Sequence, residues 1–461
     1  MPHIMRYHTK MSESNPVILE GSPLPTLLIF ALPIILGNIF QQLYNVIDAI
    51  VIGKFLGNLS LAGISVANPL TDVVNALIIG GSIGIGVLAA RIYGSGDMPQ
   101  LKRTHATALL AGLGITVLLS ALGMALSLPV LRAQGAEEAV TREALRYLYI
   151  ILAGMPLCFL YNYYASLLRS CGDSRTPFVI LLVSSLLHAA LDYLSAAVLG
   201  FGIAGIACCT VVCQLFSALW CIVYTHRRYP ALALSPSDLR FSFSICREVL
   251  GFAWAAALQQ AVVNIGRLLV QSSLMSLGTD AVTGFNMGVR AEMFLMCFSQ
   301  GISAALAVAV SQNKGHGSPG RMRSFYYSAL ASALLLLCLL GTVYKLFATE
   351  IIGLFSDNPA VIAAGAQYTG TMAYIYFLAF AGEQMQGFFR GLGRLKLTMV
   401  FSIGQMTIRV LLSYLLVSRY GIPGICISVV SGWVLQNLIE GGYSLYTAAK
   451  LKEPRGSRVS A

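Results

Sequence analysis

The chain holds 461 residues, of which 57% are apolar and only 11% charged, with a formal net charge of +11. A soluble domain carries about 25% charged residues, so this composition excludes an ordinary soluble enzyme or binding module. The lysines and arginines sit in short gaps between apolar runs, a pattern that orients a membrane protein and argues against a nucleic-acid surface.

Taken in chain order, residues Met1 to Lys10 lack the apolar core and cleavage site of a signal peptide, and Met11 is an alternative start. The apolar runs that follow are about 20 residues long, enough to cross a ~30 Å hydrocarbon core as a helix. They lack the ~10-residue alternation of a β-barrel. Six spans are expected at 27–52, 62–88, 104–127, 145–168, 176–199 and 203–225. A polar stretch at 226–247 then leads to six more, at 248–276, 282–310, 324–347, 366–389, 397–418 and 422–446. The expected class is an all-α integral membrane protein of twelve transmembrane helices. Its organisation is a tail (1–26), a six-helix bundle (27–225), a linker (226–247), a second bundle (248–449) and a tail (450–461).

The loops on one side carry fifteen lysines and arginines, among them Lys102, Arg103, Arg321 and Arg394, against six on the other. The richer side is expected to be cytoplasmic, and both termini fall on it. Sliding the chain by 221 positions places Leu56-Gly57 on Leu277-Gly278, Gly94 and Gly96 on Gly315 and Gly317, and Arg169 and Gly172 on Arg390 and Gly393. An offset that holds an even number of spans makes the halves a parallel repeat, related by an axis along the membrane normal. Such pairs of bundles build transporters that rock about a central site. A channel or receptor does not need this arrangement. The ten cysteines lie almost wholly in apolar runs without a CxxC, so they imply neither zinc nor a disulfide framework.

Ionisable residues inside spans cost at least ~2.5–3.5 kcal/mol at the bilayer centre and mark function. Asp48, Asp72 and Asp192 lie eight or nine residues from Gly57, Gly63 and Gly200, which puts all three at one depth in the outer half of the first bundle. His188 is one turn from Asp192 on the same face, and Asn45 and Asn75 stand one turn from Asp48 and Asp72. Such a carboxyl cluster can take up and release a proton, or hold sodium with neighbouring oxygen ligands. Glu292 is expected near mid-membrane on span 8, open to a cleft where it would attract cationic substrates, with Arg267 as its nearest possible neutraliser. Met287 and Tyr161 add a soft and an aromatic side chain suited to flat apolar compounds. Glu383 and Glu440 are expected to pair with Arg390 and Lys450, and Arg409 needs an acid across the bundle.

The first span (Leu32-Pro33 through Gln41-Gln42 to Asn45-Val46-Ile47-Asp48), the loop Arg169 to Pro177 with its echo Arg390 to Gly393, and His188 to Asp192 before Gly200 resemble the multidrug and toxic compound extrusion (MATE) family. The resemblance runs from about Pro25 to Ala449. It implies an antiporter, not an enzyme, that expels cationic or amphipathic drug-like compounds in exchange for protons or sodium, with no cofactor and no nucleic-acid partner. In the family an acid on the first span and one on the fifth bind the coupling cation, positions matched by Asp48 and Asp192. A first-span proline allows bending, matched by Pro33, and the span 8 acid used for substrate is matched by Glu292. Many members carry Asn where this chain has His188, which favours protons over sodium. The expected setting is the cell membrane, as a monomer. The competing readings are a lipid-linked precursor flippase of the same superfamily and an integral-membrane transferase. Mixed cavity charge argues against the first, and the absence of a carboxylate-rich surface motif against the second.

Overall fold

The structure, a computed structural model, describes residues 17–451; the expectations for the outermost tails and the start lie outside the described residues. Among the described residues there is no strand. A short helix α1 (Val17–Glu20) precedes α2 (Pro23–Phe55), α3 (Gly57–Ser95), α4 (Met98–Ala133), α5 (Glu138–Ser170), α6 (Arg175–Tyr193) and α7 (Gly202–Arg228). The second half holds α8 (Phe243–Ser273), α9 (Thr279–His316), α10 (Pro319–Leu346), α11 (Ala348–Gly353), α12 (Pro359–Met372), α13 (Tyr376–Gly391), α14 (Leu395–Tyr420) and α15 (Ile422–Lys450). The fold is the expected one of two related bundles.

Among the described residues, eleven helices are long and apolar enough to cross a membrane. The remaining expected span, 366–389, is not one helix but two. α12 ends at Met372, a turn follows at 373–375, and α13 begins at Tyr376. The amides of Phe377 and Leu378 bond the carbonyls of Tyr374 and Ile375, three residues back, so the ladder tightens there without any proline or glycine to break it.

The repeat is written in the backbone. Among the described residues, eight of the ten glycines with positive φ form pairs 221 residues apart: Gly57 and Gly278, Gly96 and Gly317, Gly172 and Gly393, Gly200 and Gly421. Gly96 and Gly317 close α3 and α9 in the same left-handed turn, which a residue with a Cβ adopts only at a cost.

Two spans bridge the halves. The first part of α2 buries Leu27, Phe30, Ala31 and Ile35 in a core shared with Ile302, Leu306, Phe325 and Phe388 of the second bundle. Its later part returns to the first bundle at Tyr44 and Asp48. Reciprocally, Ala255 and Ala256 of α8 pack with Val87 of α3. At the basic end of the molecule the halves meet backbone to backbone. A Cβ on Gly94 would strike the Gln312 carbonyl, and one on Gly315 would strike that of Arg91. The Ser311 hydroxyl donates to the Val87 carbonyl (2.7 Å), and the Gln312 amide donates to that of Ser170 (2.7 Å).

Candidate functional site

The first bundle brings Asp48, His188 and Asp192 together, with one ligand atom from each lying within 4.8 Å of the others. α2 supplies Asp48, and α6 supplies the other two one turn apart. His188 and Asp192 are 3% and 1% exposed. Asp192 Oδ2 stands 2.5 Å from His188 Nδ1. On the far side of the ring, Nε2 lies 2.9 Å from Thr210 Oγ1 and 3.1 Å from the Tyr44 hydroxyl. Thr210 already donates its proton to the Ile206 carbonyl, so Nε2 can satisfy it only by donating, which leaves Nδ1 and Asp192 to share a further proton. Asp48 Oδ1 and Asp192 Oδ1 are buried with no hydrogen-bond partner among the described residues, and Asp192 Oδ2 has His188 Nδ1 beside it. Two adjacent carboxyls in such surroundings are stable only with a proton or a cation between them.

The other expected residues of this region stand apart. Asn45 is exposed and makes no hydrogen bond to the cluster among the described residues. Asp72 is exposed as well. Asn75 Oδ1 lies 3.6 Å from Cys158 Sγ, a packing contact between α3 and α5. Tyr44 and Thr210 belong to the site, and sequence reasoning passed over them. Tyr44 sits one turn before Asp48, a visible signal; Thr210 is brought in only by the packing of α7.

Between the bundles lies a cleft of about 410 Å³ lined by Pro33, Asn38, Tyr161, Phe178, Gln260 and Gln300, with Arg169, Glu383 and Arg390 among its charged residues. Met287 lines neither this cleft nor the cavity beside it. That adjoining cavity, about 150 Å³, lies within the second bundle and holds Arg267, Glu292, Arg409, Trp433 and a set of amides. Glu292 Oε2 accepts hydrogen bonds from Tyr368 (2.7 Å) and Tyr376 (3.2 Å). On an unbroken helix these tyrosines would stand about 12 Å apart along the axis and about 80° around it; the turn at 373–375 lets them converge. Among the described residues no arginine comes within 4.0 Å of Glu292, so Arg267, its possible neutraliser, makes no ion pair with it and two phenols hold it instead. Glu383 does pair with Arg390, at 3.5 Å. Glu440 is fully buried and accepts from Gln436 (3.0 Å) instead of meeting Lys450. Arg409 has no acid within 4.0 Å among the described residues.

The family model described as MatE matches residues 33–194 and 255–415, one stretch in each half. A probable multidrug resistance protein of Bacillus subtilis, YpnP, is 25% identical over 384 residues, covering 83% of this chain and 86% of that protein. An FAD transporter of Shewanella oneidensis is 28% identical over 345 residues, covering 73% and 75%. The crystal structure of a MATE protein in complex with MaL6 superposes with a TM-score of 0.89 at 22% identity, over 95% of this chain and 99% of that one.

Proposed function

Since this chain belongs to the MatE family and is therefore a membrane transporter rather than an enzyme, we propose that it exports small amphipathic compounds, cations among them, in exchange for protons. The basic end would face the cytoplasm of a bacterial cell and the Asp48–His188–Asp192 cluster would lie towards the outside. With the halves sealed at the basic end, the central cleft would open outward in this state. The observation that carries the reading is the group of two carboxyls and an imidazole, half-buried at Asp48 and buried at His188 and Asp192, with an oxygen of each carboxyl unpartnered among the described residues. Such a group accepts a proton from outside and gives it up when the bundles rock and its surroundings change. The close approach of Nδ1 to Asp192 suits a shared proton better than sodium, which prefers a shell of oxygens. A proton moving inward gains about 2.3 kcal/mol per 100 mV of membrane potential. The multidrug name carried by the Bacillus relative supports drug-like substrates, and one chain holds both bundles and the cleft, so a monomer suffices.

The test is substrate-driven proton movement in proteoliposomes carrying the purified protein and an internal pH dye, with ethidium added, with and without sodium. Wild-type protein is expected to give a signal without sodium. Asp48→Asn and Asp192→Asn are expected to insert normally and lose at least about tenfold of it. Full signal in both variants, or a strict need for sodium, overturns proton coupling at this cluster.

A further inference from the structure

The cavity inside the second bundle holds more positive charge than it can use internally. Its lining carries Arg267, Arg390 and Arg409 against Glu292 and Glu383. Glu383 and Arg390 neutralise each other at 3.5 Å, and the Ser303 hydroxyl accepts from Arg390 (2.8 Å), although Arg390 Nε has no hydrogen-bond partner among the described residues. That leaves two guanidiniums facing one carboxylate, and the carboxylate is already held by two tyrosine hydroxyls. Arg409 is only 7% exposed, lines the cavity, and its Nε has no hydrogen-bond partner among the described residues. A buried guanidinium with an unused donor is costly in low dielectric. Glu440, the other acid nearby, is enclosed behind Gln436 and does not line the cavity.

The neighbouring amides do not relieve this charge. Gln259 donates to Gln386 (2.8 Å) and Ser402 (3.0 Å) and accepts from Thr398 (3.0 Å), so its polar groups are spent on one another. The cavity shares Gln260, Gln300, Glu383 and Arg390 with the central cleft. A molecule whose body fills the cleft can therefore extend a compact polar head into the cavity.

We infer that Arg267 and Arg409 form a subsite for the anionic group of a transported organic acid, a carboxylate or phosphate carried on an aromatic or apolar body. This deepens the export reading and rests on it for the statement that the bound acid is transported. The fork of a guanidinium matches either oxyanion, and a monoanion would cancel the surplus charge. Glu292 then serves to set the net charge of the cavity at one unit and to favour acids that also carry a cation. The substrate class becomes amphipathic acids and zwitterions as well as cations.

Binding separates this inference from the export reading, because it needs no proton flow. The probes are rhodamine 110, which carries a free carboxylate, and its methyl ester, titrated by fluorescence anisotropy against the purified full-length protein in detergent. Wild-type protein is expected to favour the acid. Arg267→Gln and Arg409→Gln are each expected to lower the ratio of acid to ester affinity about tenfold, with Arg267→Gln, at a more exposed position, as the variant that tests the subsite should the other fail to fold. Equal binding of the two dyes to wild-type protein, or an unchanged ratio in Arg267→Gln, overturns the subsite. If the ratio falls as expected but neither dye is moved in proteoliposomes, the subsite stands and the export reading is what fails.

Discussion

His188 is the residue on which the chemistry of the first bundle turns, because its two nitrogens face different company. Asp192 occupies Nδ1, while Thr210 and Tyr44 occupy Nε2. Replacing it by Asn shortens the side chain and removes the proton bridge to Asp192 while keeping a smaller, neutral polar group. Export driven by a pH gradient is expected to drop roughly tenfold in His188→Asn, measured as dye efflux from vesicles with matched protein content. Wild-type rates in that variant would mean that the two aspartates work without the imidazole. The trio was legible in the sequence, because depth can be counted from loop glycines and because His188 and Asp192 are one helical turn apart. The cavity in the second bundle was not. Arg267, Glu292 and Arg409 come from three helices distant in sequence, and which of them touch depends on packing that no periodicity records. Glu292 read as an acid open to a cationic substrate, with Arg267 as its possible neutraliser, whereas Tyr368 and Tyr376 are the groups that bond it.

At the scale of helices, the spans followed from apolar run length, and the structure lengthens most of them at both ends. The break between α12 and α13 was invisible because the run through Ala373, Tyr374 and Ile375 is as apolar as its flanks. The close seams between halves are likewise written only as glycines, common in any membrane protein. Their role appears once each is asked what a side chain there would meet. At Gly315 a Cβ would collide with the Arg91 carbonyl and stand 2.9 Å from the Ser95 amide. Gly315→Ala is therefore expected to destabilise the purified protein by about 1–3 kcal/mol. Gly114→Ala, on α4 with nothing within 4 Å of the new methyl, is expected to be neutral or stabilising by up to about 1 kcal/mol. Thermal unfolding in detergent distinguishes the two, and equal shifts would show that the seam does not depend on close backbone approach.

For the whole molecule, the halves are joined by a linker at 229–242 that buries Leu232 in the first bundle's core and carries one ion pair to it. Lys102 Nζ lies 2.8 Å from Asp238 Oδ2, and Asp238 also caps its own turn through Ser235. The hydrogen bond from Lys102, then those from Ser235, hold the Asp238 carboxyl well below the ordinary carboxylate range. A depressed value means that the contact is complete above the unfolded carboxylate's ~3.9 and is lost as pH falls through the lower folded value. Amide exchange in the linker, corrected for intrinsic rate, should thus be flat between pH 7 and pH 5 and raised throughout that range in Asp238→Asn. Identical exchange in the two proteins would show that the pair restrains nothing. The linker does not divide the molecule into two separable parts, however, because the opening helix of the first half has its N-terminal part planted in the second. Ile35 lies against the backbone of Gly301, a residue made some 270 positions later. At a synthesis rate of about 5–20 residues per second, the newborn helix must wait roughly 15–50 s for the surface it will cover. During that interval Leu27, Phe30 and Ile35 have only lipid or a transient escort for company, and the earliest segment to be made is among the last to settle.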